Sequence, residues 1–280
     1  MQRFTHIGIV VPTRMEQGPL VSLLEEITGQ ASERVVHGIW HIQRTYLNGV
    51  RISITHSSIG MVNAGAATEA LIIYEQPEAL INYGIAGSHT HEGLPGDVIV
   101  ATEVCAPFSG YLQTGGVLDS AFGIRWDDDV TGAHTLVDGK RFWSLPCDPD
   151  LVACALQAAQ VLSEQHALTI VPPPGQEMRP VRILSGVVAS ADTYCRDEAT
   201  FASIRARFGS LCEDMESAAV GQVASRHGLP FAIVRCLSNN DLLEVLSGER
   251  KGQLYLEMAH RAALVTAQLL RMLAEEPRPA

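Results

Sequence analysis

Ala79-Leu80-Ile81-Asn82-Tyr83-Gly84 is an apolar run that closes on a glycine, the form taken by a strand buried on both faces that ends in a turn. Working outward, the preceding stretch from Val62 to Glu75 is alanine-rich and long enough for a helix. Before that helix, Val50-Arg51-Ile52-Ser53-Ile54-Thr55 alternates as a half-exposed strand does. Ile7-Gly8-Ile9-Val10-Val11, ended by Pro12, is a buried first strand, and Pro19 to Thr28 is a helix with Leu20, Leu23 and Leu24 on one face. On the other side of the opening run, Asp97 to Glu103, Arg182 to Val188 and Phe231 to Leu237 repeat the strand pattern. Glu216 to His227 carries alanine and valine at helical spacing and stops at Gly228, with Pro230 just beyond. Leu254 to Leu273 sets Leu256, Met258, Ala263, Leu264, Ala267, Leu270 and Leu273 on a broad apolar face. Strands that alternate with helices and are apolar on both faces predict an α/β fold. Its expected form is a single three-layer domain, a twisted, mostly parallel mixed sheet flanked by helices, with ligands beyond the carboxyl ends of the strands.

Two stretches interrupt this rhythm. Ala106 to Asp148 is polar and glycine-spotted and contains Trp126, Phe142 and Trp143, and Val171 to Arg179 (VPPPGQEMR) is proline-rich. Both read as insertions or lids on one domain spanning residues 1–276, with residues 277–280 as a tail. At 46% apolar and 18% charged residues the composition is globular, and a net charge of −11 argues against a broad grip on nucleic acid or an anionic membrane. The six cysteines lack CxxC spacing and lie in apolar contexts such as IVRCL. Met1-Gln2-Arg3-Phe4-Thr5-His6 leads directly into the first strand, which predicts no secretory leader and a reducing cytoplasmic setting.

Six turns occur in a consistent order: Ser58-Ile59-Gly60-Met61-Val62-Asn63-Ala64, Asn82-Tyr83-Gly84-Ile85-Ala86-Gly87, Pro95-Gly96-Asp97-Val98-Ile99-Val100, Ser190-Ala191-Asp192-Thr193-Tyr194, Asp214-Met215-Glu216-Ser217-Ala218 and Val234-Arg235-Cys236-Leu237-Ser238-Asn239. Together they resemble the purine nucleoside phosphorylase and nucleosidase superfamily. The resemblance is greatest to its hydrolytic branch, the methylthioadenosine/S-adenosylhomocysteine nucleosidases and the futalosine hydrolases. It covers residues 7 to 240 apart from the middle insertion, and it implies a nucleoside phosphorylase-like fold.

Glu216 sits at a helix start, where backbone N–H groups and the dipole favour a carboxylate. That position alone is compatible with ordinary helix-end electrostatics. The resemblance implies that Glu216 accepts the ribose hydroxyls, with Met215 under the sugar and Asp214 just behind. Glu16 follows the first strand at the spacing of the glutamate that activates water in the nucleosidases, a base that hydrolysis requires; its other reading is a solvated glutamate in the loop before the helix. A phosphorylase would instead hold phosphate here, and Arg14 is the one residue able to serve that end.

By resemblance, Tyr194 stacks on the purine, Cys195 offers backbone groups to its edge, and Ile85, Ala86 and Gly87 line the floor under the glycosidic bond. Asn239 departs from the aspartate of the adenine-specific enzymes. Asparagine cannot deliver a proton, but it offers a donor and an acceptor that suit a 6-oxopurine. Ser238 neighbours it, and Asp241, two residues on, could supply the acid if the register shifts. His89 and His91 (GSHTHEG) lack a third ligand, so neither metal nor cofactor is expected. The expected activity is therefore hydrolysis of the N-glycosidic bond of an inosine- or futalosine-like purine nucleoside. The alternatives are an adenine nucleosidase of the methylthioadenosine type, a phosphate-dependent phosphorylase and a non-catalytic nucleoside-binding protein. The resemblance also implies a homodimer or higher homo-oligomer whose partner subunit closes the 5′ end of the site, where Trp126, Phe142 and Trp143 would contribute.

Overall fold

The computed structural model describes residues 4–109, 111–112, 118–119, 144–172, 177–243 and 248–275. Its core strands are β1 (His6–Val11), β4 (Val50–His56), β5 (Ala79–Ser88), β6 (Val98–Cys105), β10 (Ile183–Ser190), β11 (Ser210–Asp214) and β12 (Phe231–Asn239). Two further strands, β2 (Glu33–His37) and β3 (Trp40–Leu47), extend one edge. A short β9 (Ser144–Pro146) pairs with β6, and Tyr111–Leu112 (β7) pairs with Leu118–Asp119 (β8) apart from the main sheet.

The sheet order is β11-β10-β6-β12-β5-β1-β4-β3-β2. Neighbours β4, β1, β5 and β12 run parallel, and β6, β10 and β11 run parallel to one another but antiparallel to β12. An antiparallel contact of Cys212 with Ser88 and Glu213 with Gly87 joins β11 to β5, closing part of the sheet into a ring. β1 and β12 are buried along their whole length, as expected of strands covered on both faces. Helices α1 (Arg14–Thr28), α3 (Pro149–Glu164) and α6 (Gly248–Ala274) pack together on one face, and α2 (Met61–Glu75) and α5 (Ser217–Arg226) on the other. A further helix, α4 (Glu198–Phe208), precedes β11. One apolar core runs through these layers, so the expected α/β three-layer domain is the observed one.

Several boundaries differ from the sequence expectation. α1 begins at Arg14 rather than Pro19, which lies inside the helix. Thr13 is its N-cap, so Glu16 sits in the first turn and not in a loop. β5 continues four residues past Gly84, because its backbone goes on pairing with β12 and β11. An alanine Cβ at Gly84 would lie 2.5 Å from Glu16 Oε1 and 2.8 Å from Arg235 Nη1, so this glycine marks close approach and not a turn. Trp126, Phe142 and Trp143 lie outside the described residues. Among the described residues no helix is long and apolar enough to cross a membrane.

Candidate active site

The carboxyl ends of β1, β5, β10, β11 and β12 converge on a cleft of about 210 Å³. Its walls include Glu16, Ile85, Ala86, Gly87, Tyr194, Asp214, Met215, Glu216, Ser238 and Asn239. Residues far apart in the chain thus meet in one place; Glu216 Oε1, for example, accepts the N–H of Gly60, 156 positions away, at 3.0 Å.

Glu16 is held from three sides. Thr13 Oγ1 donates to its Oε2 at 2.7 Å and the Ile85 N–H to its Oε1 at 3.1 Å, while its backbone carbonyl accepts the Tyr83 hydroxyl. Only 2% of the residue is exposed. Burial raises its carboxyl above the usual range, opposed by the Thr13 hydrogen bond, the Arg235 charge and the Ile85 N–H. A carboxylate so placed holds a proton more tightly than a solvated glutamate does.

Glu216 is the N-cap residue of α5 yet makes no side-chain capping bond. The helix start is served by Asp214, whose Oδ1 accepts the Glu216 and Ser217 N–H groups at 3.1 Å each, and by Ser190 Oγ, which accepts the Ala218 N–H at 2.8 Å. Glu216 therefore faces the cleft for a reason other than the helix-end electrostatics expected of it: the anion at the helix end is Asp214. Burial, then the Asp214 charge, push the Glu216 carboxyl up to about 7, against Arg235 and the Gly60 N–H. Burial alone would raise Asp214 too, but Arg235, with the Ser190 and Ser217 hydroxyls, holds it below the usual carboxylate range.

Arg235, fully buried on β12, was not singled out in the sequence. Its Nε donates to Asp214 Oδ2 at 2.6 Å and its Nη2 to Asn82 Oδ1 and Ser217 Oγ. Nη1 is buried without a partner among the described residues and flanks Gly84 together with Glu16 Oε1. With its oxygens spent on this network, Asp214 supports the cleft wall and has little left for a ligand.

At the other end, Asn239 Nδ2 donates to the Tyr194 hydroxyl at 2.9 Å and to Asp241 Oδ2 at 3.1 Å, and Ser238 Oγ donates to Asn239 Oδ1 at 2.8 Å. The Tyr194 phenol is raised by burial and by hydrogen bonds with Tyr255 and Asp241. Its ring is also approached by Arg196 at 5.1 Å and Lys251 at 5.0 Å, cations with which a stacked base would have to share the ring.

Cys195, Arg14 and the two histidines singled out in the sequence do not line the cleft. The Cys195 N–H is taken by Glu213 Oε1 at 3.3 Å, and Cys195 is not a wall of the cleft. Arg14 leans to the surface, its Nε 3.5 Å from His56 Nε2, because residues two apart on a helix face opposite ways and Glu16 takes the inner side. His89 is buried against Ser210 and Glu213, while His91 is exposed near Glu198. No group of three or more metal-ligating side chains is found among the described residues.

A relative from Bacillus cytotoxicus, named 5′-methylthioadenosine/S-adenosylhomocysteine nucleosidase, is 30% identical over 220 residues, covering 78% of this chain and 80% of its own length. The fold is similar to that of the Neisseria meningitidis enzyme of the same name in complex with methylthio-immucillin-A (TM-score 0.69, 21% identity, 96% of this chain and 99% of that one). It is equally similar to a futalosine hydrolase mutant from Helicobacter pylori (TM-score 0.70, 20% identity, 96% and 99%). The family model of the phosphorylase superfamily matches residues 6–274, nearly the whole chain. On this sequence match, and with the fold in agreement, the chain belongs to the phosphorylase superfamily.

Proposed function

We propose that the protein is a nucleosidase that hydrolyses the N-glycosidic bond of a purine nucleoside. The observation that carries hydrolysis over phosphorolysis is the charge of the cleft wall. Glu16, Glu213, Asp214 and Glu216 line it, and among the described residues no lysine or arginine is part of the wall: Arg235 lies buried behind it against Asp214, and Arg196 and Lys251 lie against the Tyr194 ring at the base end. A phosphate dianion would meet the Glu213 carboxylate and, as pH rises past about 7, that of Glu216, whereas neutral water would meet no like charge. In this reading Glu16 takes the proton from water, and Arg235 Nη1, orphaned beside the same oxygen, helps to orient that water. Glu216 accepts the ribose hydroxyls over Met215, and Ile85, Ala86 and Gly87 floor the reacting bond. The cleft's negative charge also favours a transition state with positive charge on the sugar.

The base end favours a 6-oxopurine. Asn239 carries an amide and not an acid at this end; Ser238 fixes its oxygen, and a base would take over the two Nδ2 hydrogens now donated to Tyr194 and Asp241. A second reading, an adenine nucleoside, is favoured by Asp241, a carboxylate one hydrogen bond from Asn239, and by the substrates named for the relatives. A homo-oligomer that completes the 5′ end of the site belongs to either reading.

The test is incubation with inosine, guanosine, futalosine, adenosine and methylthioadenosine, with and without phosphate, and chromatography of the released base. Release independent of phosphate and greatest for the 6-oxopurines is expected. No release from any nucleoside, or release only with phosphate, overturns the reading. Asn239→Asp should move preference toward adenine; an unchanged preference would assign base selection to Asp241.

A further inference from the structure

A second groove, of about 370 Å³, lies between the outer flank of α1 and the β2–β3–β4 edge of the sheet. The register places its residues. Arg34 pairs with Gln43 and Val36 with His41, and Ile42 pairs with Thr55, which sets His41 across from His56. Strand alternation then puts Arg34, His41, Gln43 and His56 on one face of the sheet. Arg14 and Gln17, three residues apart on α1, face them.

The hydrogen bonds in this groove leave donors over. Arg34 Nη2 meets His41 Nδ1 at 2.7 Å and Arg14 Nε meets His56 Nε2 at 3.5 Å. A guanidinium can only donate, so both of these imidazole nitrogens accept, and the ring hydrogens sit on His41 Nε2 and His56 Nδ1. His56 Nδ1 is buried and has no acceptor among the described residues. No carboxylate lies within ion-pair range of Arg14 or Arg34 among the described residues, although the chain has 31 acidic residues against 20 Lys and Arg. Two guanidinium groups, two imidazoles and two carboxamides line the groove; Gln17 donates to the Ile54 carbonyl and each guanidinium spends one bond on an imidazole. Such a groove keeps donors to spare and is complementary to a compact ligand made of acceptors.

We propose that this groove is a binding site for a small phosphate-bearing anion, separate from the acidic cleft. Phosphate oxygens match the arginine fork and accept from neutral imidazole N–H groups, so the site does not require the histidines to be charged. Burial, and then Arg14 and His41, hold His56 below its ordinary value, which keeps it in that neutral donor form. The ligand could be free phosphate or pyrophosphate, or the phosphate chain of a nucleotide.

The experiment is calorimetric titration of the full-length protein, in phosphate-free buffer at about 0.1 M salt, with inorganic phosphate, pyrophosphate, AMP and ATP. Saturable binding of at least one probe is expected, and the better of the inorganic and nucleotide arms identifies the source. Arg34→Gln, at an exposed edge position, should weaken it roughly tenfold, and Arg14→Gln should do the same independently. Base release without added anion should be unchanged in Arg34→Gln, and circular dichroism checks that both variants are folded. Absence of saturable binding up to about 10 mM for every probe overturns the proposal. So does binding that survives both substitutions and is competed by nucleoside, which would put the anion in the cleft and overturn hydrolysis as well.

Discussion

A carboxyl group that is 4% exposed and beside a second carboxylate releases its proton late, and Glu216 is such a group. Its carboxyl stands at about 7 in the folded chain against an ordinary 4.5, so between these pH values the native state binds more protons than the unfolded one. Stability contributed by the protonated form is therefore complete below about 4.5 and is lost as pH rises through 7, by about 3 kcal/mol in all. His6, lowered to about 4 by burial and Arg51, acts in the opposite sense over much of the same range. The total profile mixes the two, but comparison with Glu216→Gln isolates the first. Urea unfolding across pH 4 to 8 should show the wild type falling relative to this variant as pH rises to 7. A pH-independent difference would mean that Glu216 titrates as an ordinary solvated acid.

At the scale of the element, α1 carries the proposed base into the cleft, and its first turn is tied to the chemistry. Thr13 caps the helix through the Glu16 N–H at 3.3 Å and also donates to the Glu16 carboxylate. Thr13→Val should cost about 1 kcal/mol in urea unfolding and lower kcat several-fold with little change in KM, since the base loses its orientation and not its place. Thr13→Ser should restore both, and a variant with wild-type kcat would remove Thr13 from this role.

This helix also shows where the sequence misleads. Pro19 looks like a first helical residue, although Thr13-Arg14-Met15-Glu16 is a capping-box spacing that marks the true start. The strands β1, β5 and β12 were legible because burial on both faces leaves unbroken apolar runs. β2, β3, α3, α4 and β11 were not read: α4 has little amphipathic contrast, and the short, mixed Ser210–Asp214 is a strand only because β10 and β5 flank it. Glu16, Glu216 and Asn239 stood out by resemblance to a family, whereas Arg235 in IVRCL looks like any core-strand residue. Its meaning depends on Asp214 and on Asn82, 153 positions away, a pairing that no local pattern encodes.

At the scale of the whole molecule, that pairing ties the closed part of the sheet together. Asp214 ends β11, Ser190 ends β10, Asn82 lies on β5, Ser217 begins α5 and Arg235 lies on β12, so one buried polar network joins four strands and a helix below the cleft. Such a network is costly to halve, because removing one charge leaves the other buried without a partner. Arg235→Met should destabilise the protein by about 3–5 kcal/mol in urea unfolding, and Asp214→Asn should cost a similar amount. The double variant loses both charges at once, so it should be clearly more stable than the sum of the two single losses would allow. Base release should nevertheless be abolished in all three, because the orphaned Nη1 proposed to orient the water, or the helix-start anion, is gone in each. Additive losses in the double variant would show that the two residues contribute independently and that the network is not what holds the ring beneath the cleft.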